Sequence, residues 1–521
     1  MSHPLHQAPA PSRSVVIELP DESATQRLAE AVAAAAGAGD VVLLAGDLGA
    51  GKTAFARALI RAVADDAGLE VPSPTFTLVQ TYDLPRLAIA HVDLYRLGDP
   101  AELDELGLDE HAGLILAEWP ERAPDRFPAD RLEVRLEVDA EDPGARTARL
   151  TAHGDWTDRL ARIAEVRDVL ARLGYGGWRR RFLKGDASSR RYERLSRDGR
   201  SAVMSAVMMD SPAAPDPGTG PVPYSRIAHL AESVTPFVAV ARALGERGFS
   251  APRIHAADLD RGVLVIEDLG ALTVLDDAGR PVAERYAAAV ELLAEFHGLA
   301  MPDAVEAAPG IVHRLPRYDE AAFRIELGLL ADWFAPFATG APLSEAALAE
   351  FDAIWADLLP GIADPAAHRA WVMRDYHSPN LMWLPERDGI RRVGLLDFQD
   401  AVIGPAAYDV ASLVFDARVD VPAPLRDDLR ARYVACRRQA DPGFDAAAFD
   451  RDLAILAAQR NTKILGIFAR LFLRDGKPAY LAHIPRISTY LEHALDHPVL
   501  ARLKVWYDTH LPDELRRRAA G

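Results

Sequence analysis

At 521 residues, with 49% hydrophobic and 26% charged side chains, the chain has the composition of a globular protein of two to four domains. No apolar run reaches the ~18 residues that span a bilayer, and residues 1–14 lack the apolar core of a signal or anchor, so they read as a flexible tail. The net charge of −18 is uneven: residues 1–155 carry −14 and the remainder −4, which makes the N-terminal part a poor nucleic-acid binder by itself; the acidity fits either a basic protein partner or simple solubility.

Val15–Leu19 reads as a strand, and Ser23 to about Ala36 as an Ala-rich helix capped by a Ser or Asp. Val41–Ala45 is a buried strand that runs into Gly46, Asp47, Leu48, Gly49, Ala50, Gly51, Lys52 and Thr53, followed by a helix over Ala54–Ala67. This is G-x-x-x-x-G-K-T in its strand, loop and helix setting, a nucleoside-triphosphate cradle. Glycines let backbone N–H groups close around phosphates at a helix N-terminus. Lys52 then reaches the β/γ-phosphates of ATP, and Thr53 offers a hydroxyl to Mg²⁺. Pro72–Thr77 is a Pro-stiffened polar loop. Strands over Leu87–Val92 and Gly113–Ala117 end at Asp93 and Glu118, each placing a carboxylate at the C-terminal edge where α/β sheets bind ligands. Beside a phosphate loop, such carboxylates point to Mg²⁺ binding or water positioning.

The strings GDLGAGKT, SPTFT, HVDLYRL and AEWPER resemble the TsaE (YjeE) family, bacterial ATPases needed for threonylcarbamoylation of tRNA adenosine. The resemblance covers about residues 15–150. It implies a Mg²⁺ site from Thr53 and Glu118, catalytic roles around Asp93 and Lys52, and a nucleotide-responsive loop at Ser73–Thr77. It also implies work in trans with a TsaD-like transferase and a TsaB-like scaffold.

Residues 139–155 read as the end of this domain and a linker, followed by a helix over Trp156–Leu173. Phe182–Tyr192 lies between two strand-like runs, where a kinase fold would place the hairpin over the ATP phosphates, yet it lacks G-x-G-x-x-G. The next strand, Ser201–Met209, has neither lysine nor arginine, so Arg190, Arg191 and the Ser188–Ser189 backbone are the candidate phosphate contacts. Residues 210–223 form a Pro/Gly loop, and a helix over Ile227–Arg247 would be the αC counterpart. A strand at Val263–Ile266 leads into Glu267, Asp268, Leu269 and Gly270, which resemble a kinase hinge; Glu267 and Leu269 are the candidate adenine contacts. The rest, to Ser488, is mostly helical, with His297 a structural residue at the end of a helix over Ala283–Phe296.

Asp375 and Asn380 have the spacing of the kinase catalytic loop, and Asp397 follows the apolar run Val393–Leu396. A hydroxyl attacking a γ-phosphate needs a carboxylate to orient it, which Asp375 supplies. The triphosphate needs Mg²⁺ on oxygen ligands, which Asn380 and Asp397 supply. The pattern, with Tyr408 and Asp409 downstream, resembles the aminoglycoside phosphotransferase-like kinases, although Gln399 replaces the glycine of Asp-Phe-Gly. Within them, GDASSRRY, VMMD, IEDLG, RDYHSPNL, LLDFQDA and QRNTKILGIF are similar to the AmgK group, the N-acetylmuramate/N-acetylglucosamine anomeric kinases of cell-wall recycling. That resemblance implies an amino-sugar substrate, and the missing strand lysine fits it.

The expected architecture is an α/β P-loop NTPase domain (residues 15–155) followed by an α+β bilobal kinase-like domain (156–521, with its N-lobe and hinge at 156–270 and its C-lobe at 271–521). The alternatives are a kinase acting on an aminoglycoside, choline or another small alcohol, and a P-loop domain that only senses nucleotide. Cys436, the single cysteine, excludes an internal disulfide, points to a reducing, cytoplasmic compartment and reads as a core thiol. Arginine outnumbers lysine 54 to 5, which makes each lysine informative.

Overall fold

The computed structural model describes residues 12–183, 190–199, 203–214 and 222–518. The chain divides into two units: the sequence up to Ser211 joined by His255–Asp268, and Pro212–Ile254 joined by Leu269 onward.

The first unit holds two sheets. The larger contains β1 (Ser12–Leu19), β2 (Val41–Ala45), β3 (Val79–Tyr82), β4 (Ile89–Asp93), β5 (Leu114–Glu118), β6 (Arg131–Val138) and β7 (Arg146–His153). Their order is β1-β7-β6-β2-β5-β4-β3. β2 is parallel to β5 and β6, and β4 is parallel to β5, while β1, β3 and β7 pair antiparallel. Because alternate side chains leave opposite faces, Val42 and Leu44 of β2 enter one core and Val41 and Leu43 another. The first core is closed by α1 (Glu22–Ala35) and α2 (Lys52–Ala64). Asp21 caps α1 by accepting a 2.6 Å bond from the Ala24 amide.

Two sequence expectations need correction here. β1 starts at Ser12, so residues 12–14 belong to the sheet and not to a tail. Residues 146–153 are not linker but β7, paired on both sides by β1 and β6, with Ala148, Leu150 and Ala152 fully buried.

The connection to the second sheet is α3 (Trp156–Arg172), whose apolar residues recur at intervals of three and four. Trp156, Leu160 and Ile163 fill the first core, whereas Val166, Val169 and Leu170 join Leu195, Ala206, Met208, Val263 and Val265 in a second core. That core belongs to an antiparallel sheet of β8 (Arg179–Leu183), β9 (Arg191–Asp198), β10 (Val203–Asp210), β11 (Ile254–Asp258) and β12 (Val263–Ile266). Its order is β11-β12-β10-β9-β8. β8 also docks on the helices packed against the larger sheet. Arg179 Nε donates to Glu30 of α1 at 2.6 Å, the Arg180 amide donates to Glu30 at 2.9 Å, and Arg181 pairs with Asp65 at the end of α2.

The second unit is mainly helical. The expected single helix over 227–247 is two pieces, α4 (Tyr224–Ile227) and α5 (Thr235–Glu246). The break fits His229, at φ 55°, and Pro236 in the first turn of α5, whose ring cannot continue a helix from upstream. α6 (Ala283–Phe296) is followed by the hairpin β13 (Ala304–Ala308) and β14 (Ile311–Arg314), then α7 (Glu320–Leu329), α8 (Ala335–Thr339) and α9 (Glu345–Ile362). Short pairs β15 (Ala370–Val372) with β18 (Val402–Gly404), and β16 (Leu381–Trp383) with β17 (Val393–Leu395), hold the catalytic-type segment. α10 (Ala407–Val414), α11 (Ala423–Ala440) and the 28-residue α12 (Ala446–Leu473) follow, and helices over 484–518 add Ile487, Leu491, Leu503 and Trp506 to the buried set. Gly466 lets α12 press on the end of α7, since a Cβ there would lie 2.4 Å from the Leu329 carbonyl. Cys436 on α11 is half-buried and not a core thiol; burial and Glu291 raise its pKa, against an activated nucleophile. Among the described residues, no helix is long and apolar enough to cross a membrane.

Candidate functional sites

The first site lies at the C-terminal edge of β2, β4 and β5. Gly46 has φ 137°, and a Cβ there would sit 2.3 Å from the Leu136 carbonyl, so only glycine lets the loop leave β2 along this path. Asp47, Leu48 and Gly49 form the exposed crest, with Leu48 79% exposed, while Ala50 is buried and Gly51, at φ 104°, caps α2. Arg146 of β7 braces the loop by donating 3.1 Å to the Ala50 carbonyl.

Lys52 Nζ donates to the carbonyls of Gly46 (2.8 Å) and Asp47 (2.9 Å) and lies 3.5 Å from the Trp119 ring centroid. Burial pushes its ammonium below the ordinary pKa, against the pull of Glu118, Glu121, Asp93 and Asp47. Thr53 Oγ1 donates to Glu118 Oε2 at 3.0 Å, which brings together two oxygens suited to Mg²⁺. Glu118 Oε1 is held by His91 Nε2 at 3.0 Å, both side chains buried. Asp93, beside Glu118 in the β4–β5 register, accepts from Ser73 (2.8 Å) and Thr75 (2.6 Å). The 73–77 loop is therefore fastened to Asp93, and it carries Phe76, 81% exposed and covered by Arg96 at 4.1 Å. His91 and Arg146 were not singled out in the sequence; His91 stands two residues before Asp93, on the same face of β4 by the two-residue period of a strand.

In the second unit, Arg374 has φ 67° and Asp397 φ 56°. These left-handed turns present Asp375 after β15 and Asp397 after β17. Asn380 Nδ2 donates 2.9 Å to the Asp375 carbonyl, and Gln399 Nε2 donates 2.7 Å to Asp397 Oδ1. Gln399 thus holds the carboxylate from the position where other kinases have glycine. The turn before Asp375 is fixed by Asp409, which accepts from the amides of Met373 (2.7 Å) and Arg374 (2.9 Å). His297 backs Asp409 at 3.5 Å and meets the Tyr433 hydroxyl at 3.0 Å, a structural place for this histidine.

A buried carboxylate anticipated by no motif, Glu326 of α7, organises the surroundings. It pairs with Arg374, accepts 2.7 Å from Lys463 and 2.9 Å from Gln459 of α12, and accepts 2.6 Å from the Tyr318 hydroxyl. Burial alone would raise its pKa, but Lys463 and Arg374 lower it to about 2. Burial likewise works against ionisation of Asp375, yet His377, Lys463, Arg460 and Arg374 outweigh it and hold this carboxyl below its ordinary value. The Asp375 side chain nonetheless remains 43% exposed, an ionised carboxylate open to solvent.

Glu326→Gln strands two buried cations, so it lowers unfolding stability by ~3–5 kcal/mol, read from denaturant midpoints. The folded pKa is depressed, so the stability due to Glu326 is full above its ordinary 4.5 and is lost as pH falls toward 2; in the Gln variant this acid limb shrinks.

Of the other expected nucleotide contacts, Glu267 and Leu269 follow β12, and Leu269 is buried with Met382 and Leu384. Ser188 and Ser189 lie outside the described residues. Arg190 precedes β9, and Arg191, exposed on β9, faces Asp210 across the ladder. If either contacts phosphate, its alanine variant weakens ATP use by ~2–3 kcal/mol in steady-state kinetics. Near-normal kinetics in both single variants and the double variant exclude them. Among the described residues, no three His, Cys, Asp or Glu side chains group as a metal site. Mg²⁺ bound through one or two protein oxygens plus phosphates needs no such group.

Comparison with known proteins gives two family matches. The profile of the threonylcarbamoyl adenosine biosynthesis protein TsaE covers residues 19–148, and that of the phosphotransferase enzyme family (APH) covers residues 179–447. An N-acetylmuramate/N-acetylglucosamine kinase of Caulobacter vibrioides is 40% identical over 364 residues, 67% of this chain and 96% of that protein. The protein of the same name from Pseudomonas aeruginosa is 37% identical over 326 residues, 61% of this chain and 84% of that one. A tRNA threonylcarbamoyladenosine biosynthesis protein TsaE of Rickettsia felis is 43% identical over 122 residues, 23% of this chain and 71% of that one.

Proposed function

Because the chain belongs to the phosphotransferase enzyme family and carries a TsaE domain ahead of its kinase, we propose that it is bifunctional. In this reading the C-terminal part transfers the γ-phosphoryl group of ATP to the anomeric hydroxyl of N-acetylmuramate or N-acetylglucosamine. The N-terminal part hydrolyses ATP in support of tRNA threonylcarbamoyladenosine formation, with TsaD-like and TsaB-like partners. Both activities belong in the cytoplasm, where ATP and tRNA are found.

The observation that carries the substrate reading is the 40% identity over 96% of the Caulobacter kinase. In the kinase, Asp375 orients the sugar hydroxyl and receives its proton, and the ionised state described above suits that task. An anomeric hydroxyl is more acidic than an ordinary alcohol, so a base of low pKa serves it. Asn380 and Asp397 would hold Mg²⁺, and Thr53 with Glu118 would do so in the ATPase; the ion supplies charge neutralisation to the triphosphate. Lys52 contacts the β/γ-phosphates, and Asp93 positions the attacking water and links it to the 73–77 loop.

Phosphorus NMR on ¹³C1-labelled sugar tests the reaction. Phosphorus coupled to C1 is the expected result. Phosphate on C6, or turnover of an aminoglycoside or choline with none of the sugar, defeats the assignment. Rescue of a strain depleted of its own tRNA-modification ATPase tests the N-terminal activity; failure of the folded protein to rescue defeats that half.

A further inference from the structure

Arg460 of α12 is a buried cation that no carboxylate contacts directly among the described residues. It is 5% exposed, its Nη1 is sealed from solvent without an acceptor, and no hydrogen bond or ion pair reaches it among the described residues. Two cations of the same region are differently placed: Lys463, one turn on, is committed to Glu326, and Arg374 to Glu326 and the Ala228 carbonyl. A guanidinium desolvated without a partner costs several kcal/mol, so a fold keeps one where a ligand completes it.

Its location identifies the ligand. Gln459 and Lys463, flanking Arg460 on α12, both bond Glu326, and Glu326 holds Arg374, the residue before Asp375. Arg460 also acts electrostatically on Asp375, the proposed base, and on its neighbour His377. Arginine presents a planar fork of donors that matches a carboxylate in two-point contact. N-acetylmuramate differs from N-acetylglucosamine by a lactyl ether that ends in a carboxylate. We propose that Arg460 receives the carboxylate of an acidic acceptor sugar and so sets the preference between acidic and neutral amino sugars. This rests on the reading of the C-terminal part as an amino-sugar kinase.

The test uses the full chain and both sugars, each assayed by ATP-dependent phosphorylation. In Arg460→Gln the ratio of kcat/KM for N-acetylmuramate over that for N-acetylglucosamine falls at least about ten-fold, as loss of a charge-assisted contact requires, and Arg460→Lys restores part of it. An unchanged ratio, with both sugars impaired alike or with a raised KM for ATP, overturns the proposal and gives Arg460 to Asp375 or to phosphate instead. Wild-type protein supplies a readout independent of any variant. N-acetylmuramate should inhibit N-acetylglucosamine phosphorylation about ten-fold more strongly than its carboxamide does, and equal inhibition overturns the proposal. If the wild type phosphorylates neither sugar, it is the kinase assignment that fails, a result distinct from an unaltered ratio.

Discussion

Asp375→Asn lowers kcat for sugar phosphorylation by about 10²–10⁴, the usual worth of a general base, with a modest change in KM for ATP. The amide keeps the shape and one hydrogen bond but cannot take the proton. The backbone under it does not depend on the side chain: the turn is pinned by Asp409 on the Met373 and Arg374 amides and by Asn380 on the Asp375 carbonyl. The variant should therefore remain folded, and thermal unfolding beside the kinetics checks this. A kcat within two- to three-fold of wild type in a folded variant would remove Asp375 from the base role. Asp397→Asn differs in kind. On the proposed reading it takes a charged ligand from the metal, so the Mg²⁺ concentration at half-maximal rate should rise while saturating Mg²⁺ restores much of the turnover.

Lys52→Ala abolishes ATP turnover by the N-terminal domain, because the β/γ-phosphates lose their point charge. Its Nζ sits among the loop carbonyls of Gly46 and Asp47 and over Trp119, so truncation also empties the middle of the cradle. Sugar phosphorylation persists if the two sites are independent. Loss of both activities in a folded variant would refute independence.

The parts of this chain legible in its sequence are those where a backbone requirement fixes the residue type. The phosphate loop is one: Gly46 and Gly51 are needed for their positive φ, and the buried Val41–Ala45 run locates β2 without error. The Asp93 and Glu118 strand ends could be placed because they follow apolar runs, and they are adjacent in the sheet. β7 was obscured because Arg, Thr and His occupy its outward positions; the two-residue alternation of Ala148, Leu150 and Ala152 was the signal available. The α4–α5 break had one local signal, Pro236 at the start of α5, while His229 in a left-handed turn is announced by no pattern. Glu326 was invisible for a different reason. A single carboxylate in an apolar helix looks like a surface residue until Arg374, Gln459 and Lys463, far away in sequence, converge on it. Lys463 itself lay in a stretch already marked by resemblance, and it is one of only five lysines.

The helix α3 ties the supply of one domain to that of the other. Its first turns complete the core of the P-loop domain and its last turns complete the core of the smaller sheet, with β8 fastened to α1 and α2 by Glu30 and Asp65. A cut on either side of α3 strips one partner of Trp156, Leu160 and Ile163 or the other of Val166, Val169 and Leu170. One chain carrying both domains fixes their ratio at one to one, and a cut beside α3 uncovers apolar side chains in one of the two cores.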